Sequence, residues 1–128
     1  MPKNHSGLHK RRITGAKGSK YRKKKKFESG SDPVETLTGK RVIQIRRTKG
    51  GNTKVKLAND LSVNVRTISD GKIIKKKILS VKSNPSNKHY ERRGVITKGA
   101  IIVIDSGQAK VTSRPGQDGI INAIEIET

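Results

Sequence analysis

Beyond residue 40, apolar and polar residues alternate with a period of two along most of the chain. Thr53-Lys54-Val55-Lys56-Leu57 alternates strictly, which predicts a strand with Val55 and Leu57 inward and Lys54 and Lys56 outward. Leu61, Val63 and Val65 alternate in the same way with Ser62, Asn64 and Arg66. Residues 41–46, with Val42, Ile43 and Ile45, and residues 72–81, with Ile73, Ile74, Ile78 and Leu79, predict two more strands. Gly50-Gly51-Asn52 and Asp70-Gly71 are turn signals. Residues 100–105, 108–113 and 120–127 predict the last three strands, parted by Ser106-Gly107 and by residues 114–119. One short helix is expected between them. Asn84 suits its N-cap, Pro85 its first position, Arg92 and Arg93 its last turn, and Gly94 its stop. Ser31-Asp32-Pro33 would cap a single turn through Glu35.

Six or seven short strands with such turns predict a sandwich or a small closed barrel. Ile and Val number twenty-four against five Leu and five Ala, so the strands are rich in residues that make an exposed edge adhesive. A barrel removes its edges. The expected fold is therefore all-β: a small antiparallel β-barrel with an extended basic N-terminal arm and one short helix.

Composition divides the chain. Of thirty Leu, Ile, Val and Phe residues, five lie in residues 1–40 and twenty-five in residues 41–128. The first forty residues cannot bury enough apolar surface to offset the entropy of ordering them. They are expected to be a basic, largely disordered arm, with residues 41–128 as the β-barrel domain. With no Cys, disulfides and thiol chemistry are excluded. The longest apolar run, residues 100–104, is too short to span a bilayer, and the N-terminus lacks a signal peptide's apolar region. A cytoplasmic protein without a membrane partner is expected.

Charge identifies the partner. Residues 1–30 hold eleven Lys or Arg and one acid, Glu28, a net +10 of the chain's +20. Residues 31–98 carry +12 and residues 99–128 carry −2. So many like charges oppose compaction and call for a polyanion, nucleic acid first among them. The arm's candidate contacts are Lys3, Lys10, Arg11, Arg12, Lys17, Lys20, Tyr21, Arg22, Lys23, Lys24, Lys25 and Lys26. Its glycines let the backbone approach RNA closely. Tyr21, Phe27 and Tyr90 are the only aromatics, and none lies on a predicted strand. A sheet that stacks bases needs aromatics on its strands, so the barrel is expected to read phosphate and shape on folded RNA.

Other chemistry is poorly supported. Gly15-Ala16-Lys17-Gly18-Ser19-Lys20 has the wrong spacing for a phosphate-binding loop and no preceding strand. His5 and His9 are four apart, but nearby Gly and Pro oppose a helix and no third ligand is near. Acidic residues are scattered singly, and no serine sits in a nucleophile elbow. No enzyme activity, metal, cofactor or small-molecule substrate is expected.

Several segments resemble the archaeal and eukaryotic small-subunit ribosomal proteins of the eight-e family. The resemblance rests on Arg11, Thr14-Gly15-Ala16, Arg22-Lys23-Lys24, Lys26, Glu28 and Gly30 in the arm. Ser29 departs from the family's usual Leu or Met. Pro33, Glu35-Thr36, Gly50-Gly51-Asn52 and Lys54-Val55 follow the pattern. So do Asn84-Pro85, Asn87, His89-Tyr90, Arg92-Arg93, residues 96–100 and residues 111–119. The second half lacks the insertion of the eukaryotic members and so resembles the archaeal ones. The resemblance implies a structural protein held on small-subunit rRNA among neighbouring ribosomal proteins. On this reading the barrel docks through Lys54, Lys56, Arg66, Lys75 and Lys77, with Lys76 on the opposite strand face unless a bulge or edge intervenes. His89, Tyr90, Arg92 and Arg93 add a loop-borne patch. Arg114 is either an RNA contact or part of a rigid closure of the barrel. The rival reading is a ribosome-biogenesis or chromatin-type factor that binds nucleic acid transiently.

Overall fold

The computed structural model describes residues 11–19, 22–68 and 71–126. The chain divides into two compact units, residues 1–33 and 34–128. In the first, Arg11 and Lys17 form an isolated antiparallel bridge around a turn in which Gly15 has φ +81°. A single 3-10 turn follows at Lys26–Glu28. Residues 31–35 form no turn, so the expected cap at Ser31 is not realised.

Among the described residues, the second unit holds seven strands: β1 (Val42–Arg47), β2 (Thr53–Asn59), β3 (Ser62–Arg66), β4 (Ile73–Ser83), β5 (Ile101–Ile104), β6 (Gly107–Val111) and β7 (Asn122–Ile126). β3 to β7 close into a five-stranded barrel, while β1 and β2 form a separate two-stranded sheet. Among the described residues, the strand pairings are antiparallel except the seam, where β3 runs parallel to β7. β4 turns the corner: residues 73–77 pair with β3 and residues 78–83 with β5. Two register shifts, at Ile78/Ser80 and Val81/Ser83, supply the bend that such a corner needs.

The alternation read from sequence places the core. Val63 and Val65, Ile102 and Ile104, Ala109 and Val111, and Ala123 face inward, joined by Leu57, Ile78, Ile96 and Ile121. Each large aliphatic side chain buried this way contributes about 1.5–3 kcal/mol relative to exposure. Thr36 and Leu37 are laced into this unit rather than the arm. Thr36 bridges Ile96, and its buried hydroxyl donates to the Leu57 carbonyl at 2.8 Å. The break between units thus falls at Pro33/Val34, short of the compositional change near residue 40.

Three local expectations are corrected. Val55 is not buried; it stays 38% exposed. The helix α1 is Lys88–Arg92, with Asn87 as its N-cap accepting from the His89 amide at 2.9 Å. Asn84 is buried instead. Its amide donates to the Val95 carbonyl at 2.8 Å, and its oxygen accepts from the Ser86 amide and the Thr97 hydroxyl. A buried amide satisfied on both sides fastens the chain before α1 to the chain after it. Gly94 ends the helix as expected, with φ +66°. Finally, residues 114–119 are not only a loop. Pro115–Asp118 winds into a one-turn helix, α2, which packs on β2.

Gly119 ends α2 at φ +74°, and a Cβ there would stand 2.6 Å from Val55 Cγ1. Gly119→Ala therefore combines a left-handed backbone cost of about 1–2 kcal/mol with a clash of about 1–3 kcal/mol. Gly51→Ala, at φ +79° with open space around it, carries the backbone cost alone. Urea denaturation should rank Gly119→Ala well below Gly51→Ala. Equal midpoints would show that α2 is not held against β2.

Candidate nucleic-acid interface

The register of the seam sorts side chains between inside and outside. Residues opposite one another in a sheet share a face. Across β4, β3 and β7, Lys77 stands opposite Ser62, Lys75 opposite Asn64 and Asn64 opposite Asn122. One row on, Ile73 stands opposite Arg66, Arg66 opposite Ile124 and Ile124 opposite Lys110. Val63, Val65 and Ala123 take the inward positions between them. The outer face thus gathers Arg66, Lys75, Lys77 and Lys110, all exposed, with no carboxylate at any of these positions. Lys76 has opposite parity. Its ammonium lies 3.6 Å from Glu125 Oε1 and hydrogen-bonds the Ser106 hydroxyl, so it is spent within the barrel.

The two-stranded sheet adds a second cationic group. Arg46 stands directly opposite Lys54, and Arg47 and Lys49 lie at the exposed turn. Like charges opposed across a sheet repel, a cost that an external anion removes. Lys54 Nζ donates to Gln117 Oε1 at 2.6 Å, which ties this sheet to α2. Lys56, expected to point outward, is only 6% exposed. Its strand is covered on both faces near Leu57, and period-two alternation on one strand cannot reveal the second cover.

At α1, His89 and Arg92 are exposed and Tyr90 is half-buried. Arg93 is exposed but engaged in an ion pair with Glu35. Arg114 serves the closure through its backbone. Its amide donates to Asp118 Oδ2 at 2.8 Å, and its carbonyl accepts from Gln117 and Asp118, while the side chain is exposed.

In the first unit Arg11, Arg12, Lys17, Lys23, Lys24, Lys25 and Lys26 are exposed. Lys3, Lys10, Lys20 and Tyr21, with His5 and His9, lie outside the described residues. Arg22 is partly buried and forms an ion pair with Glu28. The Lys25 amide donates to Glu28 Oε2 at 3.1 Å, and the Lys25 ammonium lies 5.8 Å from the centre of the exposed Phe27 ring. The only acid of residues 1–30 is therefore engaged within the arm itself. Arg46, Arg47, Lys49 and Lys110 were not singled out from sequence. Registering a hairpin around Gly50-Gly51 would have brought Arg46 to Lys54; Lys110 needs the barrel's closure to be seen. Among the described residues, no three His, Asp or Glu side chains gather in a metal-binding cluster, and no helix is long and apolar enough to cross a membrane.

A small barrel whose outer face on β3, β4 and β7 gathers cations and, among the described residues, no carboxylate, on a chain with a densely basic arm, has the charge distribution that suits a polyanionic partner. Comparison with known proteins gives the particular family. The family described as Ribosomal protein S8e matches residues 5–126. The small ribosomal subunit protein eS8 of Sulfurisphaera tokodaii is 50% identical over 118 residues, 91% of this chain and 92% of that protein. Those of Nanoarchaeum equitans and Methanococcoides burtonii are 44% and 46% identical, over 96% and 94% of this chain and 97% of each relative. The chain belongs to the ribosomal protein S8e family, in agreement with the resemblance read from its motifs.

Glu28 reports on the arm's local structure. The Arg22 guanidinium and then the Lys25 amide hold its carboxyl down at about 2, from an ordinary 4.5. A depressed carboxylate stabilises its turn fully above the ordinary value and loses that contribution as pH falls through the lowered one. An NMR titration should place the Glu28 midpoint near 2, and Arg22→Gln should return it toward 4.5. A wild-type midpoint near 4.5 would mean that the pair does not form.

Proposed function

We propose that the chain is a structural component of the small ribosomal subunit, seated on folded rRNA among neighbouring ribosomal proteins in the cytoplasm. It holds its RNA through phosphate and shape contacts and catalyses nothing. The observation that carries this reading is the outer face of β3, β4 and β7, where Arg66, Lys75 and Lys77 stand together without a counter-charge at their register positions. The names of the relatives, small ribosomal subunit proteins, supply the assembly. The arm, residues 1–40 by composition, supplies most of the remaining charge and threads against phosphates, with residues 41–128 as the docking barrel. Lys54, His89, Arg92 and the Arg114 side chain add exposed contacts. Arg93 takes part only if RNA phosphate displaces Glu35.

Each phosphate neutralised releases counterions, so affinity for an rRNA fragment falls with salt. For six to ten contacts, roughly a thousandfold or more is lost between about 50 and 200 mM salt. Charge reversal at Lys75 and Lys77 should weaken binding, lower the salt slope by about two, and leave the melting temperature nearly unchanged. In cells the protein should sediment one to one with mature small subunits. A flat salt dependence would overturn the phosphate-contact reading, and presence only on precursor particles or on DNA would point to the transient factor instead.

A further inference from the structure

The same outer face is not uniformly charged. Between its cations lies a groove of about 380 Å³, walled by Ile73, Ile120 and Ile124 and floored by Asn64 and Asn122, with Arg66 at the rim. Ile73 is 72% exposed, and Ile120 and Ile124 about two-fifths exposed. None of the residues lining the groove is acidic.

Its floor carries specific chemistry. Asn64 Nδ2 donates to Asn122 Oδ1 at 3.0 Å across the parallel seam. An amide has two donor hydrogens and one acceptor oxygen. The pair therefore keeps Asn64 Oδ1 as an acceptor and Asn122 Nδ2 as a donor, with no hydrogen-bond partner among the described residues. Exchanging oxygen and nitrogen in both amides leaves the same inventory. The free acceptor and the free donor line one groove, and the Watson–Crick edge of a nucleobase offers a donor and an acceptor that could meet them. That edge is free only in an unpaired nucleotide.

We infer that this groove takes one unpaired RNA base, splayed out of its helix. The base edge meets the Asn64–Asn122 pair, its faces lie against the isoleucine walls, and Arg66 and Lys75 hold the flanking phosphates. The volume lies near the lower bound of small-ligand pockets, about 300 Å³, which fits a single nucleotide rather than a strand. Charge favours this occupant over a protein segment: a peptide seated here would have to be acidic, whereas every nucleotide brings its own phosphate. The inference rests on the RNA-binding reading above and adds a base contact that the lack of strand aromatics argued against.

The test uses the full chain, isotope-labelled, at one low salt concentration. NMR spectra are followed with single-stranded hexamers of each of the four ribonucleotides, with a fully paired RNA duplex, and with an acidic peptide. Single strands should shift the Asn64 and Asn122 side-chain amides and the Ile73 and Ile124 methyls. The duplex should bind without moving them. Ile73→Ser, a neutral change at an exposed position, should weaken the best hexamer about tenfold, as loss of one good base contact would. It should leave the melting temperature and the order of salt dependence intact. If RNA binds but the amides stay still, the base slot is wrong and the phosphate reading stands. If the peptide moves them and RNA does not, the groove belongs to a protein partner. If no RNA binds at all, both readings fall.

Discussion

The parallel seam between β3 and β7 is the constraint on which the rest depends. Val65 lies opposite Ala123, so Arg66 must lie opposite Ile124 and Asn64 opposite Asn122. A slip of one residue would carry Val63 and Val65 to water and drive Asn64 and Arg66 into the core. Burying an unpaired guanidinium costs far more than any gain in pairing. The core and the cationic outer face are therefore two consequences of one register. The chain fixes that register with Val63, Val65, Ala123 and Val111, all fully or almost fully buried.

Charge imposes the second constraint. Among the described residues, the lysines at positions 75 and 77 cannot be neutralised by an acid, because none stands on their face. Lys76 can be, and it is, by Glu125. Several of the acids hold local structure. Asp60 accepts from the Ser62 amide and hydroxyl at the β2–β3 connection, and Glu28 holds Arg22. Glu35 holds Arg93. These acids fasten loops, and the outer face of β3, β4 and β7 carries its cations without an acid among the described residues. This arrangement leaves the free protein with self-repulsion that a bound polyanion relieves.

Much of this was legible in the chain. The alternation at Ser62 to Arg66 gave both the inward valines and the outward Arg66, and the run Lys75-Lys76-Lys77 gave two faces correctly. The densely basic arm and its motifs pointed to the family. What stayed hidden depends on contacts distant in sequence. Lys56 reads as outward on its own strand but is buried by neighbours that the local pattern does not contain. Asn84 and Asn87 are both good capping residues, and only the need to satisfy the Val95 carbonyl in the interior assigns one to each role. Pro115-Gly116-Gln117-Asp118 reads as a turn because one helical turn gains too little from propensity to announce itself. The Asn64–Asn122 pair joins residues 58 positions apart and requires the parallel seam.

The proposed RNA contact is one-sided: it falls on the outer face of β3, β4 and β7. Photo-crosslinking within intact small subunits, with the crosslinked peptides identified to the residue, tests it most directly. Crosslinks should fall on Arg66, Lys75 and Lys77 and on the exposed basic residues of the arm, and should spare Lys76 and Lys56. Crosslinks concentrated on Lys76, or on the barrel surface away from β3, β4 and β7, would contradict it.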